Sequence, residues 1–300
     1  MGHRVMKATG RHSKGTRKTL AACAASCWLV LVALVAPVTA QQRPLDTQDP
    51  EPIGSGNVML AGGVTYARDA FYPLSGLKGT LWQLPVIDIY VGLSPIADFQ
   101  LTGGPYNRLS ITDRQPAPLA DLVTASGDST HSVEDISIGT KIRLLAEAGQ
   151  RPSFGFRFSV RLPNAKHESG MGQDTTDFSA SLLTGKSVGA LRLVGNIGFT
   201  IMSEPLDAAK QNDLLTYGAS VTRTLGGPAE IVGEINGRWS TRSGVAPIGT
   251  ESRGTIKVGG RYNLGAVRFD AAILWGVTSI DPTVGITAGV TYLFTAFSLP

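Results

Sequence analysis

Cysteine is almost absent from this chain. Of 300 residues only Cys23 and Cys27 are cysteine, and both precede residue 40. Beyond that point there is no thiol, which excludes disulfide scaffolds, cysteine-held zinc and thiol catalysis there. Histidine is scarce as well. His131 and His167 alone lie beyond residue 40, too far apart in sequence for a zinc-ligand spacing. Charged residues make up 17% of the chain, against roughly 25% in soluble globular proteins. Aromatics are modest at 7%. Long apolar runs are missing except for one near the N-terminus, and no long helical periodicity is visible. What is abundant is glycine, with 36 residues. A weakly charged, glycine-rich chain without helical periodicity favours an all-β fold.

The one apolar run, residues 20–36, follows a basic region of Arg4, Lys7, Arg11, Lys14, Arg17 and Lys18 with no acid. Val38-Thr39-Ala40 supplies small residues before Gln41. This order predicts a secretory signal peptide over 1–40, cleaved after Ala40. The competing reading, a transmembrane anchor, is weakened by a short apolar core and by Pro37. Leu20-Ala-Ala-Cys23 imitates a lipoprotein box, but its apolar core comes after it rather than before. Removing residues 1–40 leaves 21 basic against 23 acidic residues. The basic pI therefore belongs to the signal and is no argument for a nucleic-acid partner.

Residues 41–57 are polar, with Pro44, Pro50, Pro52, Gly54 and Gly56, and read as a flexible N-terminal lead. From residue 58 to the end, strand-like runs recur between turn-forming clusters. Twelve are expected, near 58–68, 80–93, 97–109, 133–147, 153–163, 174–186, 190–202, 213–225, 229–241, 252–264, 266–278 and 283–295. Pro85, Pro95 and Pro105 make the first three the weakest.

Many of these runs alternate apolar and polar residues. Val267, Phe269, Ala271, Ile273 and Trp275 share one face, and Arg268 and Asp270 the other. A soluble β-sandwich alternates too. Three features favour a membrane barrel. The runs are about 11–13 residues, near the length that spans the apolar layer and longer than a usual soluble strand. Short turns alternate with long polar loops, expected at 69–79, 112–132, 164–173, 203–212 and 242–251. Aromatics then sort towards two levels: Phe178, Phe199, Tyr217, Trp239 and Trp275 at the long-loop end, Phe154, Tyr262, Phe269, Tyr292 and Phe294 at the other. The expectation is an antiparallel up-and-down transmembrane β-barrel of about twelve strands in the bacterial outer membrane, contacting its lipid. Thr287-x-Gly289-x-x-Tyr292-x-Phe294 resembles the C-terminal signal read by the barrel-assembly machinery, although Thr295 to Pro300 follow it.

A more specific likeness lies in the middle. Leu162-Pro-Asn-Ala165, Gly170-Met-Gly-Gln-Asp-Thr-Thr-Asp177, Leu182-Leu-Thr-Gly-Lys186 and Gly195-Asn-Ile-Gly198 resemble the bacterial family of transporters named for the meta-pathway of phenol degradation. The family pattern has Thr-Gly where this chain has Asn164-Ala165. The resemblance implies an outer-membrane barrel and a transporter-like role for small, aromatic or hydrophobic solutes.

Catalytic signals are weak. Gly185-Lys-Ser-Val-Gly189 matches a nucleophile pattern, but that chemistry needs a strand–turn–helix elbow and a nearby histidine. A turn between strands is the favoured reading. Asp174 and Asp177 offer too few ligands for calcium. No enzyme activity, cofactor or metal is expected. The polar faces carry Lys141, Arg143, Arg157, Arg161, Asp177, Arg192, Glu230, Glu234, Arg238, Lys257, Arg261, Arg268 and Asp270. A lysine or arginine facing lipid at mid-membrane costs about 2–4 kcal/mol, so these side chains are expected in the lumen. Two readings stay open: an ion-pair network that fills a narrow, structural or adhesive barrel, or a pore lining that selects solutes. The surplus of cationic over acidic side chains in this set points to tolerance for anionic solutes.

Overall fold

The computed structural model describes residues 1–2 and 43–298. The signal segment and its cleavage position after Ala40 lie outside the described residues. Fourteen strands follow one another: β1 (Asn57–Tyr72), β2 (Leu77–Ser94), β3 (Ala97–Gly103), β4 (Asn107–Arg114), β5 (Ser129–Ser132), β6 (Ile136–Leu145), β7 (Ser153–Leu162), β8 (Asp177–Val188), β9 (Leu191–Glu204), β10 (Asp207–Thr224), β11 (Ala229–Ser240), β12 (Arg253–Leu264), β13 (Val267–Gly276) and β14 (Val284–Thr295). All pairings between them are antiparallel, and β1 bonds both β2 and β14, so the sheet closes.

Twelve strands form the wall, and β4 and β5 are additional. β2 is 18 residues long and changes partner along its length. Its second half pairs with β3, from Ile87 opposite Gly103. Its first half pairs with β4, from Leu77 opposite Arg114 to Gln83 opposite Asn107. The third expected strand, 97–109, is thus cut at Gly103 by Gly104-Pro105, and its last residues open a new strand. The expected loop 112–132 holds the end of β4, a 3₁₀ turn at Ala120–Leu122 and β5. Two other expected loops are tight turns. The β9–β10 hairpin continues to Glu204 and Asp207, with a register shift before Gln211 absorbing the excess residues. The β1–β2 hairpin turns between Tyr72 and Leu77. Local polarity suggested loops in both places, but neighbouring strands supply the ladder bonds that decide. At the opposite end the turns are short, as at Gly226-Gly227, where φ of +90° and +65° suits glycine.

The wall follows the two-face pattern. In β13, Arg268, Asp270, Ala272 and Leu274 are buried, while Phe269, Ala271, Ile273 and Trp275 are exposed. Outward side chains are large and apolar: Leu182 and Phe199 are each 59% exposed and Trp239 64%. Phe199, Leu215 and Trp239 lie side by side at one level. Tyr262 faces Phe269 towards the short-turn end, and Tyr292 stacks on Phe294 at 5.2 Å. An apolar outer band with aromatics towards both edges is stable only in lipid. Ring closure pairs strand edges that would otherwise face the bilayer. The protein is a membrane-spanning β-barrel.

Candidate functional site in the barrel lumen

The lumen is organised by the segment before β1. Expected as a flexible lead, residues 43–53 instead cross the inside of the barrel and bond to the wall at many points. The reason is charge and backbone satisfaction: a proline-rich segment that makes no ladder must find acceptors and donors elsewhere. Arg43 donates to Thr287 Oγ1 and to the Ala288 carbonyl, both at 3.2 Å, and its guanidinium lies 3.6 Å from Asp270. The amides of Asp46 and Thr47 donate to the Glu234 carboxylate at 2.8 and 2.9 Å. Gln48 exchanges two hydrogen bonds with the Asn196 side chain, at 2.6 and 2.8 Å. The Ile53 amide donates to Asp98 at 3.1 Å.

Wall cations meet lead acids. Lys257 lies 2.6 Å from Asp46 and 3.5 Å from Glu234. Arg192 holds Asp49 through two bonds, at 2.9 and 2.7 Å, and also reaches Glu147 at 2.6 Å. Arg143 pairs with Glu51 at 2.6 Å. Lys141 is completely buried. It donates to the carbonyls of Asp49 and Glu51 at 2.9 and 2.6 Å and pairs with Asp98 at 3.3 Å. Arg261 donates to the Arg43 carbonyl at 2.8 Å and lies 3.7 Å from Glu230. Arg268 is buried two residues from Asp270 on β13, with Nε and Nη2 lacking hydrogen-bond partners. Small residues make room for this traffic: Gly63 and Gly289, opposite each other in β1 and β14, would place a Cβ within 2.7 Å of the Arg43 guanidinium.

A second group sits towards the long-loop end. Arg161 donates to Asp177 at 2.8 Å and to Gln173 at 2.7 Å, and also pairs with Asp135. Asp135 in turn accepts the amides of Asn164 and Ala165 at 3.0 and 2.9 Å, which fixes the corner after β7. Arg238 donates to the carbonyls of Glu251 and Gly249 and so holds the 241–252 loop over the lumen. Gln173 and Ser75 tie neighbouring loops to Gly249 and Gly170 at 2.7 and 2.6 Å. Beneath them Ala70, Leu77, Leu109 and Met171 form an apolar cluster. Arg157 lies deeper and donates to Gln100 and Ser159, each at 2.8 Å.

The lumen is not filled. A cavity of about 640 Å³ is lined by Asp46, Gln48, Asp88, Glu134 and Arg157, among others. A second, of about 590 Å³, reaches Asp46, Thr47, Gln48 and Arg157 from the side of β8 to β12. The two share Asp46, Gln48, Arg157, Thr255 and Pro282, with Asp46 and Gln48 contributed by the segment before β1.

Sequence reasoning missed the acids Asp46, Asp49, Glu51, Asp88, Asp98, Glu134 and Asp135. One signal was available. Residues 41–300 are close to charge balance, so a cationic surplus on the wall requires acids elsewhere that can reach it. With these seven acids counted beside the wall set and Arg43, eleven acids stand against ten cations, and the cationic surplus is offset. Ser187, of the nucleophile-like pattern, lies at the end of β8; its hydroxyl donates to Glu147 at 3.2 Å and accepts from Arg192 at 3.1 Å.

No family model matches the chain, and no curated protein matches it. Solved structures do. An outer-membrane channel from Pseudomonas putida F1 aligns with a TM-score of 0.56 at 12% identity, covering 83% of this chain and 100% of that one. The translocator domain of the autotransporter NalP from Neisseria meningitidis aligns at 0.47 and 14% identity, covering 92% and 98%. The NanC porin aligns at 0.47 and 6% identity, covering 81% and 100%. The first of these supports the fold, that of bacterial outer-membrane barrels; the other two carry no separate weight.

Proposed function

We propose that this protein is a non-enzymatic channel of the bacterial outer membrane, admitting small solutes through a lumen narrowed by residues 43–53. The observation that carries this reading is the pair of polar cavities meeting at Asp46 and Gln48. A barrel that only needed stiffening would close that space with side chains. Here charged groups line open volume large enough for a small organic molecule. The cationic and acidic groups are nearly matched over the lumen as a whole, so size sets the general limit and charge acts only where a single group stands unpaired. The wall residues named from the sequence contribute by orienting residues 43–53: Lys257, Glu234, Arg192, Arg143 and Lys141 hold that segment, and Arg157 faces both cavities. Delivery to the membrane runs through export and the barrel-assembly machinery, a reading supported by the resemblance of the stretch from Thr287 to Phe294 to the signal that machinery reads.

The resemblance to the phenol-pathway transporters adds the finer reading of an aromatic solute, supported by Tyr72, Leu81, Val86 and Met171 along the larger cavity. A second reading, a structural or adhesive barrel with a closed lumen, draws on the many bonds that hold residues 43–53. Solute entry into liposomes carrying the purified protein separates the two. The channel reading expects faster equilibration of small sugars and ions than in empty liposomes; equal rates contradict it.

A further inference from the structure

The larger cavity contains two acidic groups outside the ion-pair network of the described residues. Asp88 on β2 and Glu134, just before β6, both line it. Neither forms an ion pair among the described residues; the one hydrogen bond to Glu134 there is a 3.4 Å contact from the Gln83 amide. Glu134 Oε2 is buried and has no partner. Asn107, only 8% exposed, lines the same cavity, and its Oδ1 is also buried without a partner. Gln83 stands opposite Asn107 in the β2–β4 ladder, so Glu134 lies close to that pair. The unsatisfied atoms of Glu134 and Asn107 are both acceptors; the unsatisfied Arg43 Nε on the same lining is a donor that faces Asp270 at 3.6 Å. A buried acceptor without a donor costs about 1–3 kcal/mol, and more when charged. Lys257, Arg161 and Arg43 also line the cavity but are engaged with Asp46 and Glu234, with Asp177 and Asp135, and with Asp270, and the fourth lining cation, Arg157, donates to Gln100 and Ser159. What is missing at Glu134 and Asn107 is a donor, and the Tyr72 ring and the apolar side chains of Leu81, Val86 and Met171 line the same space.

We propose that this cavity binds a small organic cation, a primary amine whose ammonium sits at Glu134, Asp88 and Asn107 Oδ1 and whose apolar body lies against Tyr72, Leu81 and Met171. The inference rests on the solute-channel reading, through which the amine arrives. Burial, then the charges of Asp88 and Asp135, push the Glu134 carboxyl up to about 7. The charged groups sharing its cavity are Asp88 from β2, Asp135 beside it, Asp46 from the lead, Arg157 and Arg161 from β7, Lys257 from β12, and Arg43. Protonation below neutral pH removes the Glu134 charge, so an amine binds less tightly there.

The test uses the full mature chain in detergent micelles, with calorimetry at pH 8 and pH 5.5. The probes are phenethylamine, phenylacetate and 2-phenylethanol, which share a body and differ in the head group. The expected result is saturable phenethylamine binding, at least tenfold tighter than either other probe at pH 8, and several-fold weaker at pH 5.5. Glu134→Gln and Asp88→Asn should each weaken it by about tenfold while the folded band on unheated gels is retained. If either variant fails to fold, the other serves. Equal or tighter binding of phenylacetate, binding unchanged in both variants, or no phenethylamine binding overturns the proposal. Liposome flux of uncharged sugars, measured on the same preparation, tests the channel separately. Flux without amine binding ends this inference alone, and amine binding without flux ends the channel reading alone.

Discussion

Arg192 and Asp49, separated by 143 positions, meet in a two-point bridge: Nε to Oδ2 at 2.9 Å and Nη2 to Oδ1 at 2.7 Å. One partner belongs to β9 and the other to a segment outside every strand. The bridge therefore fixes the segment in the lumen without contributing to the ladder. Replacing Asp49→Ala should remove about 1.5–3 kcal/mol of docking energy, the range for hydrogen bonds to charged groups. The expected outcome is larger single-channel conductance and faster protease cleavage near residue 49, with unchanged strand content by circular dichroism.

Lys141 gives a sharper case because it is wholly buried. Its ammonium answers Asp98 and two lead carbonyls. Lys141→Met strands the Asp98 charge, at a cost of about 3–5 kcal/mol. Lys141→Met with Asp98→Asn should recover part of that loss, because no unpaired buried charge then remains. Urea unfolding of the vesicle-inserted protein measures both.

The outer face answers to a different solvent. Leu182 is exposed and stands opposite Ile197, also exposed, in the β8–β9 ladder. Leu182 stands midway along β8, and Leu182→Arg should cost about 2–4 kcal/mol. Folding yield into lipid vesicles should fall accordingly, while Ser181→Ala on the lumen side leaves it near wild type.

Glu147 lies in the short turn between β6 and β7. The Ser187 amide donates to it at 2.9 Å, Lys186 pairs with it at 2.9 Å, and the Ser187 hydroxyl adds a third bond. These bonds, the amide first, hold its carboxyl down to about 2 from an ordinary 4.5. A carboxylate lowered on folding stabilises the folded state above its ordinary value, and that stability is lost as pH falls through the folded one. Thermal stability should therefore decline between pH 4.5 and pH 2, and Glu147→Gln should flatten that part of the curve.

Much of the wall was legible because its signal is local. Alternation along β13 alone assigns Arg268 and Asp270 inward and Trp275 outward, since a strand repeats every two residues. The strands of the later hairpins lie within a few residues of expectation for the same reason. The branch in β2 was not legible. Nothing near Gln83 or Ile87 announces that one partner ends and another begins; that depends on where Gly104-Pro105 interrupts β3. The position of residues 43–53 was hidden for a related reason. Their prolines and polar groups describe a segment with no ladder of its own, and only the three-dimensional placement of Lys257, Arg192 and Lys141 shows what receives it.

The central claim is that residues 43–53 narrow a passable lumen. It is tested most directly by single-channel recording in planar bilayers, comparing the mature chain with one lacking residues 43–53. The account predicts measurable conductance in the first and a several-fold increase in the second. Equal conductance in both would contradict it.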